Sequence, residues 1–167
     1  MAADVSIIEV NGTEGVEEAT PKAGETVRFK SADDSEVDNN DPLVKPNAGV
    51  YRSYEKYLRT VLNDLDESDS ISNIEVFATG SANTGLAILA KTEEDYATPV
   101  RTAMAGDKAN IFTYTTNSPL VLGEGPFDTA GDAEGIGLFL VLQMEVYPSA
   151  TTGTMDAFNL VLRYDEE

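Results

Sequence analysis

The side chains best suited by type and spacing to do chemistry are carboxylates. Asp33-Asp34-Ser35-Glu36-Val37-Asp38-Asn39-Asn40-Asp41 crowds acids into one short run, and hard cations such as calcium need several oxygens at such spacing. Counted from Asp34, carboxylates fall at positions 1, 3, 5 and 8 of a loop. Position 6 is then Asn39, where the helix-loop-helix calcium loop needs Gly, and position 12 is Lys45, where it needs a bidentate Glu. That form of site is excluded, which leaves a solvated loop or a looser loop-bound ion. Asp64, Asp66, Glu67 and Asp69 offer the same two readings. A carboxylate pair for glycoside hydrolysis has 30 acidic residues to draw on, but nothing in their arrangement selects a pair.

Other chemistries lack their parts. There is no Cys, so no disulfide, thiolate metal site or thiol nucleophile forms. There is no His, which removes the usual general base, zinc ligand and pH switch together. Gly-x-Ser-x-Gly does not occur. Gly131, Gly135 and Gly137 are separated by Asp132 and Glu134, which would repel a phosphate, so they read as turn and strand-opening glycines. Lys45, Arg52, Lys56 and Arg59 gather basic charge in a short interval; they either pair internally with the neighbouring acidic loops or form a positive stripe facing a partner. Tyr51, Tyr54 and Tyr57 read as core and rim, with a sugar-stacking platform as the alternative. No catalytic, cofactor-binding or metal-ligating residue is assigned, and no enzyme is expected.

The 167 residues carry a net charge of −19, with 11 basic residues against the 30 acids. Such a chain does not bind nucleic acid by neutralising phosphates and is not drawn to anionic membranes. The acidity supplies solubility and repulsion between free copies, or suits a salty medium or assembly beside a basic surface. The opening Met1-Ala2-Ala3-Asp4 lacks the basic start and apolar run of a secretory signal. The length suits one domain with its own core.

The elements that must position these side chains are strands. Residues 135–147 place Ile136, Leu138, Leu140, Leu142, Met144 and Val146 on one parity and Gly137, Phe139, Val141, Gln143, Glu145 and Tyr147 on the other. At about 3.3 Å per residue this strand would run about 40 Å and act as a template for its neighbours. Further strands are expected at residues 5–10, 26–30, 71–77, 86–90 and 111–115, with 96–100 extended. Residues 11–15, 21–25, 64–69 and 148–154 read as turns or connections, and 31–49, 79–85 and 123–135 as polar loops. In residues 51–65 the period alone favours an amphipathic helix, with Tyr54, Tyr57, Leu58, Val61, Leu62 and Leu65 at helical spacing, while the aromatic content also suits a strand. Phe158, Leu160, Leu162 and Tyr164 share a face, so 156–164 is expected to return along 135–147 as a long antiparallel hairpin. The sum is an all-β fold, an antiparallel β-sandwich of about eight strands with long polar loops, jelly-roll-like in its strand count.

Arg28-Phe29-Lys30-Ser31-Ala32-Asp33, Val44-Lys45-Pro46, Ser53-Tyr54-Glu55-Lys56-Tyr57-Leu58-Arg59, Ile71-Ser72-Asn73-Ile74 and Asn159-Leu160-Val161-Leu162-Arg163-Tyr164-Asp165-Glu166 resemble, in order, stretches of a group of small tailed-bacteriophage virion proteins. In that group the segment matching 54–61 alternates more cleanly, so the resemblance favours a strand here, although Asn63-Asp64-Leu65-Asp66 replaces a Gly/Thr turn. The resemblance implies a structural protein of the virion, first a decoration (cement) protein on the outer surface of the head. A neck, tail or fibre-attachment protein is the alternative, and a jelly-roll carbohydrate-binding module is a second one from another class. Implied partners are the major capsid protein or other virion subunits and further copies of the chain, a trimer first. Implied localisation is the virion, after synthesis in the host cytoplasm.

Overall fold

The computed structural model describes residues 2–22, 26–153 and 155–167. Met1, Ala23-Gly24-Glu25 in the predicted connection 21–25 and Thr154 at the end of the last predicted turn lie outside them. Among the described residues the strands in chain order are β1 (Asp4–Asn11), β2 (Glu18–Pro21), β3 (Tyr51–Arg52), β4 (Lys56–Asp64), β5 (Ile71–Thr79), β6 (Leu86–Glu93), β7 (Ala109–Asn110), β8 (Leu120–Gly123), β9 (Ile136–Val146) and β10 (Asn159–Glu166). They form two antiparallel sheets. The larger has the order β2-β1-β4-β9-β6-β7, with β3 also on β9; the smaller is β10-β5-β8.

The all-β sandwich is therefore the architecture. Its core lies between the sheets, where Leu58, Leu62, Ile88, Leu140, Leu142 and Met144 of the large sheet meet Ile71, Ile74, Val76 and Leu122 of the small one. The large sheet is also covered on its other face, where Ile8, Val10, Tyr57, Val61, Phe139 and Val141 pack under Met104 and Tyr96. Burial on both faces explains why both parities of β9 are apolar over most of its length. Gln143 and Glu145, the polar end of one parity, are buried as well.

The expected strand at 51–65 is present, as two pieces rather than one. β3 meets β9 at Tyr51↔Val146 and Arg52↔Glu145, while β4 meets the same edge from Lys56↔Leu142 to Thr60↔Ile136. Ser53 bridges the gap between them. Its N–H donates to the Met144 carbonyl at 3.0 Å, and its hydroxyl accepts from the Met144 N–H at 3.0 Å.

Three expectations are corrected. The final hairpin does not form: β10 pairs with β5 in the other sheet, from Asn159↔Thr79 to Glu166↔Ile71. Both edges of β9 are already occupied, by β3 and β4 on one side and by β6 from Phe139 to Val146 on the other. A returning strand has no ladder left to join, and the chain crosses to the small sheet. The second correction is at 111–115, where Ile111–Thr113 is a 3-10 helix. The Asn110 side chain accepts the Phe112 N–H at 3.1 Å and caps the turn, a local bond that overrides the β-type composition. The third is at 26–30, which is not a strand; the partner of β1 on that side is β2. Val27 and Phe29 pack on the core from a loop. The short strands β2, β7 and β8 were not expected.

Candidate functional site

Three lysines, Lys22, Lys30 and Lys56, are buried. Glu9 of β1 and Lys56 of β4 lie side by side, on the parity opposite that of Ile8, Val10 and Tyr57, so they face the space between the sheets. Lys56 Nζ donates to Glu9 Oε1 at 2.8 Å, and each side chain is 1 % exposed. Lys22 Nζ stands 3.6 Å from Glu9 Oε2, close enough for attraction and too far for a hydrogen bond.

The acidic run 33–41 closes over these ammonium groups. Lys56 donates to the Asp34 carbonyl and Lys22 to the Ser35 carbonyl. Lys30, also buried, donates to Asp34 Oδ1 at 2.7 Å and Asp38 Oδ1 at 2.8 Å. Asp33 accepts from Asn11 Nδ2 at 2.8 Å and from the Gly12 N–H at 2.9 Å. The cation held by this loop is thus the chain's own lysine, and two of the carboxylates that a metal would need are engaged by it. Among the described residues no group of three or more acidic side chains is placed to hold a metal ion, at 33–41 or at 64–69.

The Lys30 contacts set a pH dependence. Burial by itself would lower the Lys30 ammonium, but hydrogen bonds to Asp34 and Asp38 outweigh it and hold the group above its ordinary value. The Lys30 hydrogen bond, followed by the Asn40 N–H, holds Asp38 below the ordinary aspartate value. A depressed carboxylate contributes stability above its unfolded value and loses it as pH falls through the folded one; a raised lysine contributes below its unfolded value and loses it as pH rises through the folded one. The loop is therefore expected to stay latched from mildly acid to mildly alkaline pH and to release in acid. Amide exchange at Asn40, whose N–H donates to Asp38 Oδ1 at 3.0 Å, reports this. Protection already lost at or above the ordinary aspartate range refutes the latch.

The four cations read as a stripe separate in space. Lys56 is internal, Arg52 pairs with Glu145 at 2.8 Å, and Arg59 lies over the Phe139 ring at 4.6 Å. Lys45 is exposed on a loop. Internal pairing is the reading the geometry gives for Arg52 and Lys56, and no continuous outward stripe remains. The tyrosines do not form a platform either. Tyr57 is buried, in edge contact with Tyr96 at 5.0 Å, and Tyr51 lies under Arg101 at 4.5 Å. Burial, then the nearby Glu55 charge, pushes the Tyr57 hydroxyl up to about 12, so it stays protonated. The three glycines occupy left-handed backbone, and Gly137 has a physical reason to be glycine: at φ +69° a Cβ there would stand 2.6 Å from the Leu122 carbonyl oxygen.

A groove of about 640 Å³ opens at one end of the sandwich, between loop 26–45 and residues 150–153 and 155–158. Val27, Phe29, Leu43, Met144, Met155 and Phe158 supply its apolar lining, and Arg28 and Lys45 also border it. Neither Glu9 and Lys22 nor this groove was found from the sequence. A signal for the charged cluster did exist, since Glu9 shares a parity with Val5 and Ile7, and Lys56 with Leu58 and Leu62.

No family model, curated protein or solved structure matches this chain.

Proposed function

We propose that the chain is a non-enzymatic structural subunit of a tailed-bacteriophage virion, a β-sandwich that binds the outer surface of the head as a decoration protein. The observation that carries this reading is that the segments of the resemblance meet one another in space. Lys30 of the first accepts the Tyr54 N–H at its carbonyl, at 3.1 Å. Lys56 of the same later segment binds the Asp34 carbonyl, one residue beyond the first. Asn73 of Ile71-Ser72-Asn73-Ile74 donates to Asp165 of the C-terminal segment at 2.8 Å. The segments that carry the resemblance thus form part of the framework of the sandwich, which suits a protein whose work is to bind and hold.

Charge supports the same reading. Inward pairing of Lys22, Lys30 and Lys56 leaves an exterior dominated by carboxylates on a chain of net charge −19. That keeps free copies apart and favours docking on a less acidic or basic surface. Electron cryo-microscopy of the purified virion tests the proposal. Density fitting this chain on the icosahedral shell, at three-fold or quasi-three-fold positions, is the expected result. Density confined to the tail axis moves the chain to the neck or tail, and absence from the particle overturns the virion reading.

A further inference from the structure

The tip of the β1–β2 hairpin and the groove at the end of the sandwich have opposite characters. Val16, at the tip, is 76 % exposed, the highest value among the exposed large apolar side chains. Its N–H is tied to the Thr13 carbonyl at 2.9 Å, and Glu14 is anchored through its N–H to Thr98 Oγ1 at 2.9 Å. The tip is thus a braced projection with an apolar point, and Glu14, Glu17 and Glu18 around it are exposed. The groove is its counterpart: apolar inside, with room for several side chains, and bordered by Arg28 and Lys45. Both cations are exposed, and the Arg28 guanidinium donates to the Asn39 amide oxygen rather than to a carboxylate. The Asp38 carboxylate on the same wall is engaged by Lys30.

We propose that the hairpin tip of one copy seats in this groove of a second copy, with Val16 against the apolar lining and the tip glutamates facing Arg28 and Lys45. The complementarity is of polarity and of charge: an acidic, apolar-pointed tip, and an apolar groove with a cationic rim on a chain that is otherwise strongly acidic. Tip and groove are different surfaces, so the contact is heterologous and builds a ring if its rotation closes. The long-range repulsion between two chains of net charge −19 opposes the contact at low ionic strength. Salt screens that repulsion beyond about 8 Å at physiological strength, while the buried apolar contact is insensitive to it. Assembly therefore strengthens as salt is raised from low values.

Sedimentation velocity of the purified chain, over a concentration series at low and physiological salt, is the test. The expected result is a species larger than the monomer, favoured by salt and weakened about tenfold or more by Val16→Asp, the loss of one buried valine. The double variant Arg28→Glu/Lys45→Glu weakens it comparably. All three substituted side chains are exposed, so an unchanged circular dichroism spectrum is expected to show that the variants fold. Mixing the two variants then restores a 1:1 pair that neither forms alone, because one keeps its groove and the other its tip. A monomer under every condition overturns the proposal, as does Val16→Asp assembling like the parent chain, and so does a mixture that stays monomeric. The inference concerns the isolated chain and stands apart from the virion reading. Failure here leaves the particle experiment open, and absence from the particle leaves this contact intact.

Discussion

Replacing Lys56 by methionine is expected to cost about 3–5 kcal/mol of folding stability, the usual consequence of removing one partner of a buried ion pair. Methionine fills nearly the same volume, so the loss is electrostatic rather than a cavity. Glu9, 1 % exposed, is left with Lys22 at 3.6 Å, and its Oε2 already accepts no hydrogen bond. The Asp34 carbonyl loses its donor in the same step. Against a typical total of about 5–15 kcal/mol, such a loss moves the urea midpoint strongly at constant slope. The triple replacement Glu9→Leu/Lys22→Met/Lys56→Met removes the buried charges together and is expected to recover most of it, because a buried ionic group is itself worth little over an apolar one. Lys91→Met is the control. Lys91 also pairs with a glutamate, Glu93, but that partner is 42 % exposed, so the change should stay within about 0.5 kcal/mol. Equal losses at Lys56 and Lys91 would show that burial of the pair does not matter.

What the sequence disclosed follows from how far each signal reaches. Strand β9 was legible because its alternation is local and long, and its central place followed from its length. The same held for β1, β5 and β6, whose β-type runs are bounded by turn residues. The partner of β10 was not legible, because hairpin reasoning uses sequence adjacency and the occupied edges of β9 are a property of the finished sheet. Residues 111–113 failed for the opposite reason: one side-chain bond from Asn110 outweighed five residues of strand-like composition. The pairing of Glu9 with Lys56 crosses 47 positions. A charge within a strand reads as its solvent side, and only the register Glu9↔Leu58 of β1 on β4 brings the two together. The acidic run was correctly picked out as unusual. Its occupant was missed, because the cation it surrounds comes from Lys30 and from two lysines on other segments. The groove joins loops more than a hundred residues apart, and no local pattern announces it.

Gln143→Leu is expected to cost about 2–5 kcal/mol and to do so on one face of the molecule. Gln143 lies mid-strand in β9, fully buried, on the parity of Phe139 and Val141. Its Oε1 accepts the Met104 N–H at 3.0 Å. Its Nε2 donates to the Thr102 carbonyl at 2.9 Å and the Ser53 carbonyl at 3.1 Å, with the Val100 carbonyl at 3.3 Å sharing a proton. One side chain thus fastens residues 100–104 over the outer face of the large sheet and ties down the break between β3 and β4. Leucine keeps the volume and adds apolar burial, but it leaves the Met104 N–H and the carbonyls without their partner. Each buried group so orphaned costs about 1–3 kcal/mol, which exceeds what the extra apolar surface returns. The inter-sheet core, built from the other parity of β9, is untouched. Amide protection should therefore fall at Met104 before it falls in β5 or β6, as a locally unfolding unit does. A loss below about 1 kcal/mol with Met104 still protected would transfer the fastening role to the Tyr57, Tyr96 and Phe139 rings. Their edge contacts at 5.0 and 5.8 Å are worth about 0.5–1.5 kcal/mol each, so the polar fastener is the stronger of the two on magnitude.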